Sequence, residues 1–332
     1  MTPLSECLFR RFHDSRGDFV GICVRGRTSI FETTNPTVSV RGYRDSDRGA
    51  SVRDTVAEGI DRLRLVIARQ SLIVVCPIDA DMAINVLAEL LADLGEHGFF
   101  TRRWHGRGPD ELAGYLSAGV SVHRPQQIHS GIVLEASEAN QPPWPEADGL
   151  VSDRGGQSLW VCGADCTPAL IADPTTGHAA ACHAGWRGVS TRILPEAILR
   201  LEQRGSQRRD LLVALGPAVS GACYQVEGEV VDAIGDSLSA KPRDRSSQLA
   251  DLQGDGALQD DPEDGRHRLD IRRAARLQLL NEGITDERIA LCPLCTFGEP
   301  ELFHSWRRDQ VKAVQWSGIV AQAASEGSCT AS

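Results

Sequence analysis

Along the 332-residue chain, short apolar runs alternate with stretches whose apolar residues recur at helical spacing. The runs at 19–24, 72–75, 131–134, 159–163, 179–182 and 211–215 have strand length and end in turn residues. Helical spacing appears at Val56, Ile60, Leu63 and Ile67 behind a capping Asp54, and at Ile84, Leu87, Leu91 and Leu94 behind Asp79 or Asp81. It returns at Ile193, Leu194, Ile198 and Leu201 behind Ser190, and at Ile271, Ala275, Leu279 and Leu280 behind Asp270. Gly95, Gly205 and Gly283 supply the stops, since glycine takes the left-handed conformation that ends a helix. The alternation predicts an α/β fold: a mixed β-sheet with flanking helices, layered in a single domain. No stretch resembles an interdomain linker.

One segment breaks the pattern. Residues 241–267 are dominated by Asp, Gln, Gly and Arg, with few apolar anchors. Such a composition does not repay its ordering entropy by burial, which predicts a mobile surface insertion.

The stretch 164–188 concentrates chemistry. The apolar runs 159–163 and 179–182 are followed by Asp165 and Cys166 and by His183, respectively. Between them, Asp173-Pro174-Thr175-Thr176-Gly177 is a turn, because proline fixes one φ and glycine permits a positive one. An adjacent-strand arrangement then brings Cys166 and His183 to one sheet edge. Ala184, Gly185, Trp186, Arg187 and Gly188 follow: small residues for close backbone approach, then an aromatic and a guanidinium.

Composition narrows the classes. A net charge of -10 argues against a general nucleic-acid binder, which needs a basic footprint. No apolar run approaches the roughly 20 residues of a membrane helix. The N-terminal MTPLSECLFRRFHDS offers no signal-peptide core, and ten cysteines then point to a reducing, cytoplasmic setting.

His129, Cys166 and His183 lie at the ends of expected strands. A thiolate and two imidazoles make three protein ligands, the number a catalytic zinc uses while keeping one position open. Spacing alone does not settle it, because a cysteine beside strands is usually a core residue and a lone histidine usually structural. Cys162 falls within an apolar run and is expected to pack inward, while Cys182 faces away from His183 on the same strand.

Several motifs occur in one order: Gln127-x-His129, Ala147-Asp148-Gly149, Ala164-Asp165-Cys166-Thr167-Pro168 and His183-Ala184-Gly185-Trp186-Arg187-Gly188. Gly216-Pro217, Cys223-Tyr224-x-Val226, Leu269-Asp270, Cys295-Thr296 and Ser305-Trp306-Arg307-Arg308-Asp309 follow. Over about 120–318 this set resembles the laccase-domain, polyphenol-oxidase-like (YfiH-like) family. The resemblance implies a zinc site made by His129, Cys166 and His183. It divides the chain into a divergent N-terminal part at 1–120, a core at 121–320 and a frayed tail at 321–332. It also implies zinc-dependent phosphorolysis of a purine nucleoside such as adenosine or inosine, with adenosine deamination as a further activity, by a monomer or homodimer.

Arg187 is then a candidate phosphate clamp, or else one half of a structural salt bridge. Arg307 is a second candidate, Trp186 a stacking surface for the purine, and Asp165 a group that orients an imidazole or moves a proton. The chain departs from the family at several points, among them longer segments at about 70–120 and at 241–267. Only Arg25-Gly26 remains of an N-terminal Thr-Thr-Arg-Gly-Gly-type segment, Ala313-Val314-Gln315 stands where Gly-Arg-Gln is common, and Trp306 replaces a tyrosine. Two other classes stay open: a hydrolase or deamidase with Cys166 as nucleophile and His183 as base, and a catalytically silent zinc-binding protein. A copper oxidase is disfavoured, since nine scattered histidines contain no His-x-His pair.

Overall fold

The computed structural model describes residues 96–322 in full and, before them, the backbone of four strands, Leu8–His13, Phe19–Arg25, Leu72–Val75 and Asn85–Ala88. These four open an eight-stranded sheet that continues through His97–Phe99, Gln315–Val320, Gln157–Gly163 and Ser121–His123. A six-stranded sheet runs Ile289–Leu291, Leu212–Leu215, Thr167–Ala172, Ala179–Ala184, Gly149–Val151 and Val133–Glu135. Both mix parallel with antiparallel pairs. A small third sheet joins Gln225–Glu227, Arg266–Leu269 and Leu258–Asp260.

The two large sheets pack face to face. Phe99, Leu159, Val161 and Ile319 from one meet Leu150, Leu170, Ala179 and Ala181 from the other. Small alanines on the Ala179–Ala184 strand let the layers approach closely, and every residue of that strand is buried. Gly216 is needed for the same reason, because a Cβ there would lie 2.3 Å from the Phe99 ring. On the far face of the six-stranded sheet, Ile171, Ala180, Cys182 and Val213 pack on Ile193, Ile198 and Leu279 of the helices Ile193–Gln203 and Ile271–Asn281. The helix Pro109–Leu116 covers the opposite outer face, over Phe100 and Trp160. Four layers result, and the central strands Thr167–Ala172 and Ala179–Ala184 are buried on both faces as their near-continuous apolar runs require.

Asp270 caps its helix as expected, accepting from the Arg272 and Arg273 amides, and Gly205 and Gly283 take positive φ at the helix ends. Ser190 does not cap. Its hydroxyl donates to the Arg187 carbonyl inside a short preceding helix, Trp186–Ser190, and the longer helix starts after Arg192. The helix expected at 54–67 lies outside the described residues. Within the one expected up to Gly95, Asn85–Ala88 is a strand instead, paired on one side with Leu72–Val75 and on the other with Phe99. A run this short fits either period, and hydrogen bonding on both edges decides it.

The 167–172 segment, not singled out in the sequence, is the actual hairpin partner of Ala179–Ala184. The 159–163 run belongs to the other sheet.

Residues 241–267 also differ from expectation. They form the helix Arg245–Gly254, capped by Asp244, and then two strands of the third sheet. Gln248, Leu252, Ala257 and Leu258 are buried. The ion pairs Arg243–Asp251, Arg268–Asp261 and Arg276–Asp255 neutralise much of the charge that made the segment look solvated. Average composition hid the placement of Leu252, Ala257 and Leu258, which face the core. Leu252→Ala is therefore expected to cost about 2–5 kcal/mol in urea denaturation, as for other buried leucines. Replacing 241–267 by a short Gly-Ser link should lower the melting temperature clearly; an unchanged value would mean that the segment contributes nothing.

Candidate metal centre

The chain crosses from one sheet to the other between Gly163 and Thr167, and Cys166 sits on that crossing. The antiparallel register sets Pro168 opposite His183, so Cys166 emerges beside the His183 side chain. His129 arrives on a third segment. Gln127 pins that segment to the outer sheet, its amide donating to the Cys162 carbonyl and accepting from the Cys162 N–H, both at 2.7 Å. The donor atoms of His129, Cys166 and His183 all lie within 4.8 Å of one another. His129 and Asp165 hold φ of 61° and 97°, a left-handed conformation rare for residues with a Cβ and frequent at functional sites.

Asp148 fastens the His129 turn to the His183 strand. Its fully buried carboxylate accepts from the amides of Ile128 (3.1 Å), His129 (3.0 Å) and Ser130 (2.6 Å) and from the Ser130 hydroxyl (2.9 Å). The same carboxylate accepts from His183 Nδ1 at 2.8 Å, leaving Nε2 to face the cluster. Burial pushes its pKa up, but the bonds from His183 and Ser130 win and hold it at about 2. Sequence reasoning saw Asp148 only as part of a motif. Its signal was a carboxylate before a glycine at a strand start, too common to assign a role.

Electrostatics in the cluster favour a thiolate at Cys166 and a protonated ring at His183, which has to release that proton to ligate an ion. Burial raises the Cys166 thiol, yet the charge on His183 and a hydrogen bond from His129 bring it down to about 6. His183 rises to about 9, because Cys166 and Asp148 outweigh its burial. Cys162 and Cys182 are pushed up to about 12 by burial. Cys182 packs in the core behind the strand, as its alternation with His183 predicts. One thiolate and two imidazoles suit a borderline-soft divalent ion and leave a tetrahedral position free. Gly185 makes the room: a Cβ there would stand 2.7 Å from the Cys166 sulfur.

The other candidates separate. Asp165 orients no imidazole. Its carboxylate accepts from the Thr296 hydroxyl (2.6 Å) and the Arg307 amide (2.7 Å), tying down two C-terminal segments. Arg187 is exposed, makes no ion pair among the described residues, and lies over the Trp186 ring at 4.5 Å. Trp186 packs partly on the core, so one face carries Arg187 rather than standing open. Arg307, also exposed, lies over the Tyr224 ring at 4.9 Å. Tyr224 was not singled out beyond its motif, yet Cys166, Arg307, Arg187 and Asp165 all act on its phenol. Burial and Cys166 push that phenol up to about 12 against both arginines, so it stays a neutral donor.

Residues 110–322 match a family model described as multi-copper polyphenol oxidoreductase laccase, and the chain belongs to that family. It is 42% identical over 237 residues to a purine nucleoside phosphorylase of Synechocystis, covering 68% of this chain and 89% of that one. The purine nucleoside phosphorylase YlmD of Bacillus subtilis is 34% identical over 166 residues, or 50% of this chain and 55% of the relative. The crystal structure of YlmD from Geobacillus stearothermophilus superposes with a TM-score of 0.62 at 24% identity, covering 74% of this chain and 97% of that one. A Bacillus licheniformis hypothetical protein, YfiH, does so at 0.62 and 25%, covering 74% and 98%. Among the described residues no helix is long and apolar enough to cross a membrane.

Two substitutions test the construction of the cluster. Asp148→Asn weakens the hold on the His183 ring and on the His129 turn, and should lower metal affinity about 10- to 100-fold. Gly185→Ala should displace the Cys166 sulfur and reduce metal content while leaving the melting curve cooperative. Competition with a chromogenic chelator measures both, and wild-type affinity in Asp148→Asn would remove that residue from the site.

Proposed function

We propose that this member of the laccase-like family is a zinc-dependent purine nucleoside phosphorylase, which splits a nucleoside such as adenosine or inosine with phosphate. The observation that carries the reading is a juxtaposition. A three-donor cluster with an open position adjoins a half-buried, neutral tyrosine flanked by two arginines that make no ion pair among the described residues. Relatives named purine nucleoside phosphorylase support the substrate class.

Phosphorolysis breaks the bond between the ribose C1′ and the purine nitrogen and joins C1′ to a phosphate oxygen. Positive charge builds on the ribose, and negative charge on the departing base. His129, Cys166 and His183 would hold the zinc, which supplies Lewis acidity beside the reacting atoms when bound. Arg187 and Arg307 hold the phosphate by charge-assisted bonds, a capacity that no carboxylate among the described residues takes up. Trp186 positions the Arg187 guanidinium from below. The Tyr224 hydroxyl donates to an oxygen or nitrogen of the bound substrate. Asp165 is a positioning residue, since it fixes the Arg307 backbone that carries one of the two guanidiniums.

A second reading is favoured by one observation. Cys166, His183 and Asp148 form a thiolate–imidazole–carboxylate chain, the arrangement of a cysteine hydrolase or deamidase. Metal content separates the two, because a nucleophilic Cys166 works without zinc.

Elemental analysis of the purified protein should show about one zinc per chain, and stoichiometric copper without zinc would sink the metal assignment. Inosine or adenosine with phosphate should give free base and ribose 1-phosphate by chromatography. Arg187→Ala should lower kcat/KM for phosphate about 10- to 100-fold, the loss of a charged hydrogen bond of about 1.5–3 kcal/mol, while zinc content stays unchanged. Arg187→Lys should rescue only part of this, lacking the planar fork. Inosine released from adenosine without phosphate would move the assignment to deamination, and no turnover of any nucleoside would leave a silent zinc protein.

A further inference from the structure

Away from the metal cluster, two half-buried free thiols come together on segments distant in sequence. Cys223 closes a short turn, Gly221–Cys223, and its thiol interacts with the Cys295 sulfur. A parallel bridge between Ala218 and Cys295 and the bond from the Thr296 amide to the Ala218 carbonyl (3.1 Å) set the two segments side by side.

The surroundings of the two sulfurs are unequal. The Cys295 sulfur accepts from the Ser220 amide (3.3 Å), the Ser220 hydroxyl (3.2 Å) and the Gly298 amide (3.4 Å). Two guanidiniums bracket the loop that bears it. Arg272 donates to the carbonyls of Cys292 and Leu294, and Arg308 to those of Thr296 and Phe297. Three donors around a reachable sulfur favour its thiolate, the form that attacks an oxidant. Cys223 has no such nest, and burial raises its pKa. Among the other described cysteines, Cys182 and Cys292 are buried, Cys162 is pushed up to about 12, and Cys166 belongs to the metal cluster.

We propose that Cys295 and Cys223 form an oxidant-responsive thiol pair whose co-substrate is a small hydroperoxide. The Cys295 thiolate attacks one peroxide oxygen, the O–O bond breaks, and the leaving oxygen takes a proton to depart as water or an alcohol. Cys295, oxidised by two electrons, is then a sulfenic acid. The Cys223 thiol attacks that sulfur, forming the S–S bond, and the hydroxide leaves with the Cys223 proton as water. Two thiols and one peroxide thus yield one disulfide. The new bond would link the turn that leads into Tyr224 with the loop whose Thr296 hydroxyl holds Asp165. The proposal is independent of the nucleoside reading.

The test exposes the purified full-length protein to a few equivalents of hydrogen peroxide, alkylates the remaining thiols and maps peptides by mass spectrometry. The expected result is a cross-linked pair joining the Cys223 and Cys295 peptides, two hydrogens lighter than the reduced pair and lost on treatment with dithiothreitol. Cys223→Ser should leave a Cys295 sulfenic acid that dimedone captures. Cys295→Ser should leave Cys223 reduced at the same dose. The wild-type arm alone is decisive should either variant fold poorly. Cys223 and Cys295 both fully alkylated after peroxide, or Cys295 advanced to the sulfinic acid with no cross-link in wild type, would overturn the proposal.

Discussion

The candidate site depends on one buried carboxylate. Asp148 accepts hydrogen bonds from three successive amides at 128–130 and from the His183 ring. Its own carbonyl receives the His183 amide at 2.7 Å. A buried charge is tolerable only when it is fully bonded, and five donors meet that condition here. The consequence is geometric. The left-handed turn at His129 and the imidazole of His183 cannot move separately, because both answer to the same two oxygens. The ring nitrogen left facing the cluster is chosen by the same bond, since an ionised carboxylate can only accept.

The layered architecture explains why the cluster forms where it does. His129 comes from a turn pinned to the outer sheet by Gln127, Cys166 from the crossing between sheets, and His183 from a central strand of the inner sheet. Three donors from three rigid elements need no loop closure to meet, so little ordering entropy opposes their assembly. The wall that carries Tyr224 and Arg307 is built from later segments and joined to the cluster through Asp165. That aspartate is adjacent in sequence to a metal-ligand candidate, yet its carboxylate holds the Thr296 and Arg307 segments.

How much of this was legible depended on the kind of signal. The strands at 159–163, 179–182 and 211–215 and the helix behind Asp270 follow directly from apolar spacing and a cap, both local properties. The donors His129, Cys166 and His183 were recoverable from the motifs in which they stand. The imidazole-orienting role expected of Asp165 falls to Asp148, because adjacency to Cys166 does not say where the Asp165 side chain points when its own φ is 97°. The segment 241–267 misled for a related reason. Composition counts polar residues without seeing that Arg268 and Arg276 meet Asp261 and Asp255, or that Leu252 and Leu258 reach the main core. Non-local pairing, in each case, decided against the local expectation.

The family's description speaks of several coppers, and the donor inventory of this chain argues otherwise. Among the described residues, His129, Cys166 and His183 form the one group of three or more donors close enough to share an ion. Among the described residues, His123 bonds Ser121, His178 bonds Ser152, and the His304 and His105 rings meet edge to face. A multicopper centre needs several imidazoles converging on neighbouring ions. Here the one cluster among the described residues offers two imidazoles. Redox chemistry in this molecule is therefore better sought in sulfur than in copper. The thiolate at Cys166 is committed to a cluster of imidazoles, whereas the one at Cys295 is held by neutral donors and lies beside a second thiol. Two activated sulfurs on one chain can thus divide the work, one as a ligand and the other as a site of two-electron oxidation.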